Sequence, residues 1–262
     1  DISSVEKFKT TYNYYIFSNS APENAVGCPF ANKNGQVIGL MHSNGQVTAI
    51  DANYAKQLKV TGLSSLDAAL RETTIRTALP DTENEAMTMM TLKKGQTTAD
   101  VYAKYSDEFI SKFPTSAFGY KEKATYLTDK AEYEAAAKLM EEGIKKSAAK
   151  DEAHSNYADL IYQKIIYKGD SVYKDWTLDK AIAEAQKAYE IKAQPIYRHQ
   201  EAQINFVKGE YQKAYDTFMD LTNTSLLSGE LYFEAAQAKK NLKAPAKEIE
   251  VLLDSAVSVG NK

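Results

Sequence analysis

The sequence predicts a mainly α fold, helical hairpins stacked into a superhelix, with a small N-terminal antiparallel β meander. Three observations carry this. Residues 117–150, AFGYKEKATYLTDKAEYEAAAKLMEEGIKKSAAK, hold two stretches whose large residues recur at three and four. That spacing puts an apolar stripe along one side of a helix. The small residues Ala124 and Ala136 sit one in each stretch, and Ala202 and Ala214 repeat their interval further on. The first fifty residues lack this period and carry Asn34-Gly35 and Asn44-Gly45, pairs that favour tight hairpin turns.

Composition narrows the class. The chain has 262 residues, 26% charged and 44% hydrophobic, as a folded soluble protein has. A net charge of −3 gives no basic bias toward nucleic acid or anionic lipid. No apolar run approaches the roughly 18 residues of a membrane span. The single cysteine, Cys28, cannot make an internal disulfide and leaves the compartment open. A proline follows it and no charged partner is near in sequence, so it reads as a small buried side chain in a strand. Eighteen tyrosines against nine phenylalanines suit a thin architecture, because tyrosine packs its ring and leaves its hydroxyl wet.

The elements follow in order. Residues 1–60 form a β-rich segment. Residues 11–17, TYNYYIF, read as a strand, and further strands are expected near 26–31, 36–41 and 46–50. The Asn-Gly pairs between them predict type I′ turns. Asp51 caps a short helix over 51–58, and Thr61-Gly62 breaks it. A helical connector fills 61–80, starting at Ser64 and ending by Pro80. The repeat region is 81–262. Residues 82–94 make a first helix closed by Gly95, and 98–113 its partner, with Val101, Tyr105 and Ile110 on one stripe. Met87, Met89 and Met90 are packing filler. In 117–150 the turn falls at 128–130. Residues 151–167 and 177–192 form the next pair, interrupted at Gly169-Asp170-Ser171, with Trp176 as a lid over the insertion. Pro195 opens a further pair with Gly209 and Tyr211 at its turn, and 228–241 with 246–257 closes the array.

These residues resemble the tetratricopeptide repeat, whose period is about 34 residues. Tyr133, Ala136 and Met140 match its second helix, while Tyr120 and Lys123-Ala124 stand in for the Trp and Leu-Gly pair of its first. The later unit matches at Ala202, Gly209, Tyr211, Ala214 and Phe218. The resemblance implies a groove lined by the first helices that binds a protein or peptide partner. Its candidate positions here are Lys121, Thr125 and Thr128, then Ser155, Asp159 and Tyr162, then His199, Gln203 and Phe206. A clamp for a C-terminal carboxylate needs Asn beside Lys121, where Thr125 stands, so that variant is not expected.

A second stretch, 25–50, resembles a degenerate remnant of a trypsin-like serine protease at Gly27 and Pro29. Val26 falls on the serine position and cannot attack a carbonyl, and no histidine precedes His42. Other enzyme readings are weaker. His42, His154 and His199 lack metal-ligand spacing, no Gly-rich phosphate loop is present, and acidic residues alternate with lysines as on solvated helices. The expected function is a non-catalytic scaffold with no cofactor and no metal. The recognition arm of an inactive protease and a glycan-binding role for exposed tyrosines stand as alternatives. The start at Asp1 and the protease-like stretch point to an exported or periplasmic bacterial protein.

Overall fold

The computed structural model describes residues 1–22, 24–43, 45–66, 76–168 and 173–260. Asn44 of the second Asn-Gly pair, most of the helical piece expected between Ser64 and residue 77, and the Gly169-Asp170-Ser171 interruption lie outside these residues. The chain divides into two compact units, residues 1–60 and 61–262.

The first unit is one antiparallel sheet of β1 (Ile2–Phe8), β2 (Tyr12–Phe17), β3 (Pro29–Ala31), β4 (Val37–Ser43) and β5 (Thr48–Asp51), in the order β1-β2-β5-β4-β3. β3, β4 and β5 form the meander, and β2 joins it through β5 rather than β3. β1 has no counterpart among the expected strands, because an almost wholly exposed edge strand carries no buried alternation to read. The Asn34-Gly35 hairpin forms, but not with a type I′ turn. Gly35 alone of the pair has a positive φ, +76°, and the Asn32 side chain accepts from the backbone N–H groups of Asn34 and Gln36 at 2.9 and 3.0 Å.

Cys28 is exposed rather than buried. The strand begins one residue later at Pro29, so the thiol belongs to the preceding loop, although the Cys28 carbonyl still accepts from Met41 N–H at 2.9 Å. Val26 lies in the same exposed loop, and the strand order gives the protease resemblance no support. Met41, Val47 and Ala49 form the buried part of this unit, and Phe17 stacks on Phe30. α1 (Ala52–Ala55) follows β5, with the Asp51 carboxylate accepting from Asn53 N–H at 2.9 Å.

The second unit starts with a 3₁₀ turn (Gly62–Leu66) and continues as helices α2 (Glu83–Lys93), α3 (Ala99–Lys112), α4 (Ala117–Asp129), α5 (Tyr133–Lys146), α6 (Lys150–Lys168), α7 (Leu178–Ile191), α8 (Pro195–Lys208), α9 (Tyr211–Leu221), α10 (Gly229–Asn241) and α11 (Ala246–Gly260). They pair as successive hairpins, and neighbouring hairpins pack on one another. Local chemistry sets their ends. Thr98 and Thr177 accept from Val101 and Lys180 N–H groups at the starts of α3 and α7, and Pro195 occupies the first turn of α8.

Small residues let the helices touch. Ala124, Ala136, Ala158, Ala181, Ala202 and Ala214 are all fully buried at facing positions. Gly143 is tighter still, since a Cβ there would stand 2.8 Å from Tyr120 Cγ. The turns repeat too. Gly95, Ala131, Gly209 and Lys243 follow Thr88, Ala124, Ala202 and Ala236 at one common interval, and each has a positive φ. In three of these turns the next N–H reaches back to close the helix end, from Glu132 to Leu127 O, Glu210 to Asn205 O and Ala244 to Lys239 O. Trp176 is buried, donates from Nε1 to Tyr157 Oη at 3.2 Å and meets Tyr133, Tyr157 and Tyr173 edge-on.

One buried ionic group links α6 to α7. Glu184 Oε2 accepts from His154 Nδ1 at 2.6 Å, and its Oε1 from Lys187 Nζ at 2.9 Å. Burial pushes the Glu184 carboxyl up, but these two donors together hold it below the usual carboxylate range.

In this packing Ala131 and Gly143 should respond oppositely to substitution. Ala131→Gly relieves a left-handed alanine and raises stability by about 0.5–1 kcal/mol, whereas Gly143→Ala drives a methyl into Tyr120 and lowers it by about 1–3 kcal/mol. Urea titration of both variants checks the signs. The buried ionic group sets a pH dependence. A carboxyl whose folded pKa is depressed stabilises above its unfolded value and loses that contribution as pH falls through the folded one. Below about pH 4.5 the wild type therefore loses stability faster than Glu184→Gln. Parallel acid limbs in the two denaturation series would refute this assignment.

Candidate functional site

The repeat register gives the candidates equivalent positions on the first helices of the hairpins, the wall that the fold leaves open. Relative to the small residues Ala124, Ala158, Ala202 and Ala236, the equivalent positions are Lys121, Ser155, His199 and Phe233, then Thr125, Asp159, Gln203 and Gln237, then Thr128, Tyr162, Phe206 and Lys240. Five of the candidates take part in polar links between successive hairpins. Lys121 Nζ pairs with Asp159 at 2.9 Å, linking α4 to α6. Ser155 Oγ donates to Gln200 Oε1, and Gln200 Nε2 donates back to the Ser155 carbonyl, both at 2.9 Å, linking α6 to α8. His199 Nε2 and Gln203 Nε2 donate to the two oxygens of Glu234 at 2.6 and 2.7 Å, linking α8 to α10. A carboxylate cannot donate, so His199 must carry its proton on Nε2.

Two candidates look inward along their own helix. Thr125 Oγ1 donates to Lys121 O, and Thr128 Oγ1 to Ala124 O, each at 2.9 Å. Thr128 is only 5% exposed and lies beneath the wall rather than on it. Its place near the end of α4 faces the packing, where the short threonine side chain satisfies its hydroxyl locally.

Tyr162 and Phe206 meet Gln203 at a cavity of about 340 Å³. Phe218 of α9 and Glu234 and Gln237 of α10 complete its lining. Burial pushes the Tyr162 hydroxyl's pKa up, and Glu234, Tyr167 and Asp159 add to it through their charge. Glu234, Gln200 and Gln237 are absent from the sequence-based set. Glu234 occupies the position equivalent to Gln200 and to Glu122, two before the small residue, and each of the three reaches back to the preceding hairpin. Glu122 does so by accepting from Lys94 Nζ and from Tyr102 Oη. That shared offset picks out Glu234 once the left-handed Lys243 has set the register of α10.

The three histidines stay apart, His42 on Tyr14 at 3.0 Å, His154 on Glu184 and His199 on Glu234. Among the described residues, no three His, Cys, Asp or Glu side chains are grouped to hold a metal ion, and no helix is long and apolar enough to cross a membrane.

No protein-family model and no curated protein sequence matches the chain. Solved structures do match it in fold. The chain is similar to TTC0263, a thermophilic tetratricopeptide protein of Thermus thermophilus, at TM-score 0.52 and 10% identity over 69% of this chain and 93% of that one. It is also similar to yeast Tom70, at TM-score 0.56 and 14% identity over 70% of this chain and 37% of that one. PilF of Pseudomonas aeruginosa matches at TM-score 0.50 and 11% identity, over 66% and 76%. The helical unit therefore has the tetratricopeptide-repeat fold.

The wall's ion pairs differ in their surroundings, and truncation should rank them. Glu234→Ala strands two donors and lowers stability by about 1–3 kcal/mol, while Asp159→Ala breaks a half-exposed pair and lowers it by less than about 1 kcal/mol. Thermal melts of both variants at low and high salt give the order.

Proposed function

We propose that the chain is a non-catalytic scaffold whose first-helix wall binds an extended polypeptide of a protein partner. The fold supports the coarse part of this reading, because stacked hairpins leave one continuous face of first helices. The observation that carries the finer part is the cavity at Tyr162, Gln203 and Phe206. It combines aromatic surface with several polar functions, while Lys121, Asp159, Ser155 and His199 are already linked across the repeats. Convergent polar groups around an apolar recess are the usual make-up of a binding site.

Lys121 enters the reading as a positioning residue. Its ammonium is paired with Asp159, so it holds α4 against α6 and is not a cation waiting for a carboxylate. The protein's recognition then resides further along the array, at α6, α8 and α10.

Display of a random peptide library against the purified chain tests this. The wild type should enrich a recognisable sequence family, and the Lys121→Ala/Tyr162→Ala/Gln203→Ala variant should lose it while keeping its helical circular dichroism. Equal enrichment by both proteins would move the function off this wall.

A further inference from the structure

Hydrogen-bond bookkeeping at the cavity narrows what it can hold. His199 and Gln203 each already direct a donor at Glu234. Gln203 keeps its amide oxygen, an acceptor, and one N–H of its amide. The Glu234 carboxylate accepts two bonds where it has room for about four, and its side chain keeps 18% exposure. Tyr162 makes no hydrogen bond through its hydroxyl among the described residues and can accept as well as donate. Around these acceptors stand the aromatic rings of Tyr162, Phe206 and Phe218. Of the wall cations, Lys121 is neutralised by Asp159, and Lys240 of α10 is not part of the cavity lining. Burial is the main cause of the raised pKa of the Tyr162 hydroxyl, and the charges of Glu234 and Asp159 add to it.

We infer that the cavity between α6, α8 and α10 takes a basic side chain, Arg or Lys, of the bound polypeptide. The aliphatic stem of such a side chain lies along the rings, and its charged head reaches the Glu234 carboxylate and the amide oxygens of Gln203 and Gln237. An acidic side chain would face Glu234 with no lysine or arginine in the cavity lining, and an apolar one would leave the Glu234 carboxylate desolvated without a partner. The inference rests on the reading of the wall as a peptide site.

The test uses the whole chain and the peptides it enriches from a random library. Those peptides should share an Arg or Lys at a fixed position, and replacing that residue by Gln should weaken binding by about ten-fold or more. Glu234→Gln keeps the size and the acceptor for His199, and it should weaken the same peptides to a similar degree, with affinity less sensitive to salt. Gln237→Glu adds a charge at the rim and should tighten them several-fold, which keeps the test alive if Glu234→Gln melts early. Enriched peptides without a shared basic residue, or peptides indifferent to both variants, overturn the basic pocket and leave the wall as a peptide site. Failure to enrich any peptide overturns both.

Discussion

Close contact between helix backbones at alanine is the constraint on which the helical unit depends. Ala124 faces α5, Ala158 faces α7 and Ala202 faces α9, each with essentially no exposed surface. A larger side chain at any of these points would force its two helices apart, because packed interiors have little slack. The contact also fixes rotation about each helix axis. Once an alanine must face its partner helix, the residues three before and one after it must face the wall. Lys121, Ser155 and His199 share a face for this reason, and so do Asp159, Gln203 and Gln237. Burial at one point thus decides chemistry on the adjoining face.

The same constraint explains what can be read from sequence. Helix bounds are legible where a helix carries a strong period, as α3, α5, α7, α8, α9 and α11 do, and where a cap or breaker such as Thr98, Thr177, Pro195 or Gly209 marks an end. The Ala124–Ala136 and Ala202–Ala214 intervals set the register of two hairpins, and the wall positions follow from register alone. What fails to show is tertiary. β1 exposes nearly all of its side chains and so leaves no pattern. The exposure of Cys28 turns on whether a strand starts at residue 28 or 29, a boundary too fine for propensity. Thr128 reads as a wall residue by spacing, yet at the end of α4 it has turned into the packing. Glu234 is hidden because the interval between the last two helices drifts, so α10 cannot be threaded onto the pattern. Left-handed Lys243 supplies the missing register, and only the backbone reveals it.

The wall is an uneven surface. Between α4 and α8 its polar side chains are joined across the repeats, Lys121 to Asp159 and Ser155 to Gln200. Such links cost a ligand something to displace, since each broken pair strands a donor or an acceptor. They hold successive hairpins at a fixed rotation. Around α10 the balance changes. Glu234 draws in the donors of both His199 and Gln203 and so turns acceptor functions outward, and the aromatic side chains there leave open volume.

This unevenness separates two roles that a repeat array must combine. A stack of hairpins has only nearest-neighbour contacts, so every junction must be strong enough to hold by itself. Residues that tie junctions together are poor at capturing a ligand, because their hydrogen-bonding capacity is already used. The α8–α10 junction escapes the conflict through the geometry of one carboxylate. Glu234 serves two donors on one side and keeps lone pairs on the other, so a single residue can both fix the junction and present charge to the recess. A neutral amide at that position would accept through one oxygen only and present no charge; Gln200, one repeat earlier, fixes its junction by accepting from Ser155 Oγ and donating to the Ser155 carbonyl. On the proposed reading of the recess as a peptide site, Glu at residue 234 and Gln at residue 200 divide recognition and structure between neighbouring junctions of the same wall.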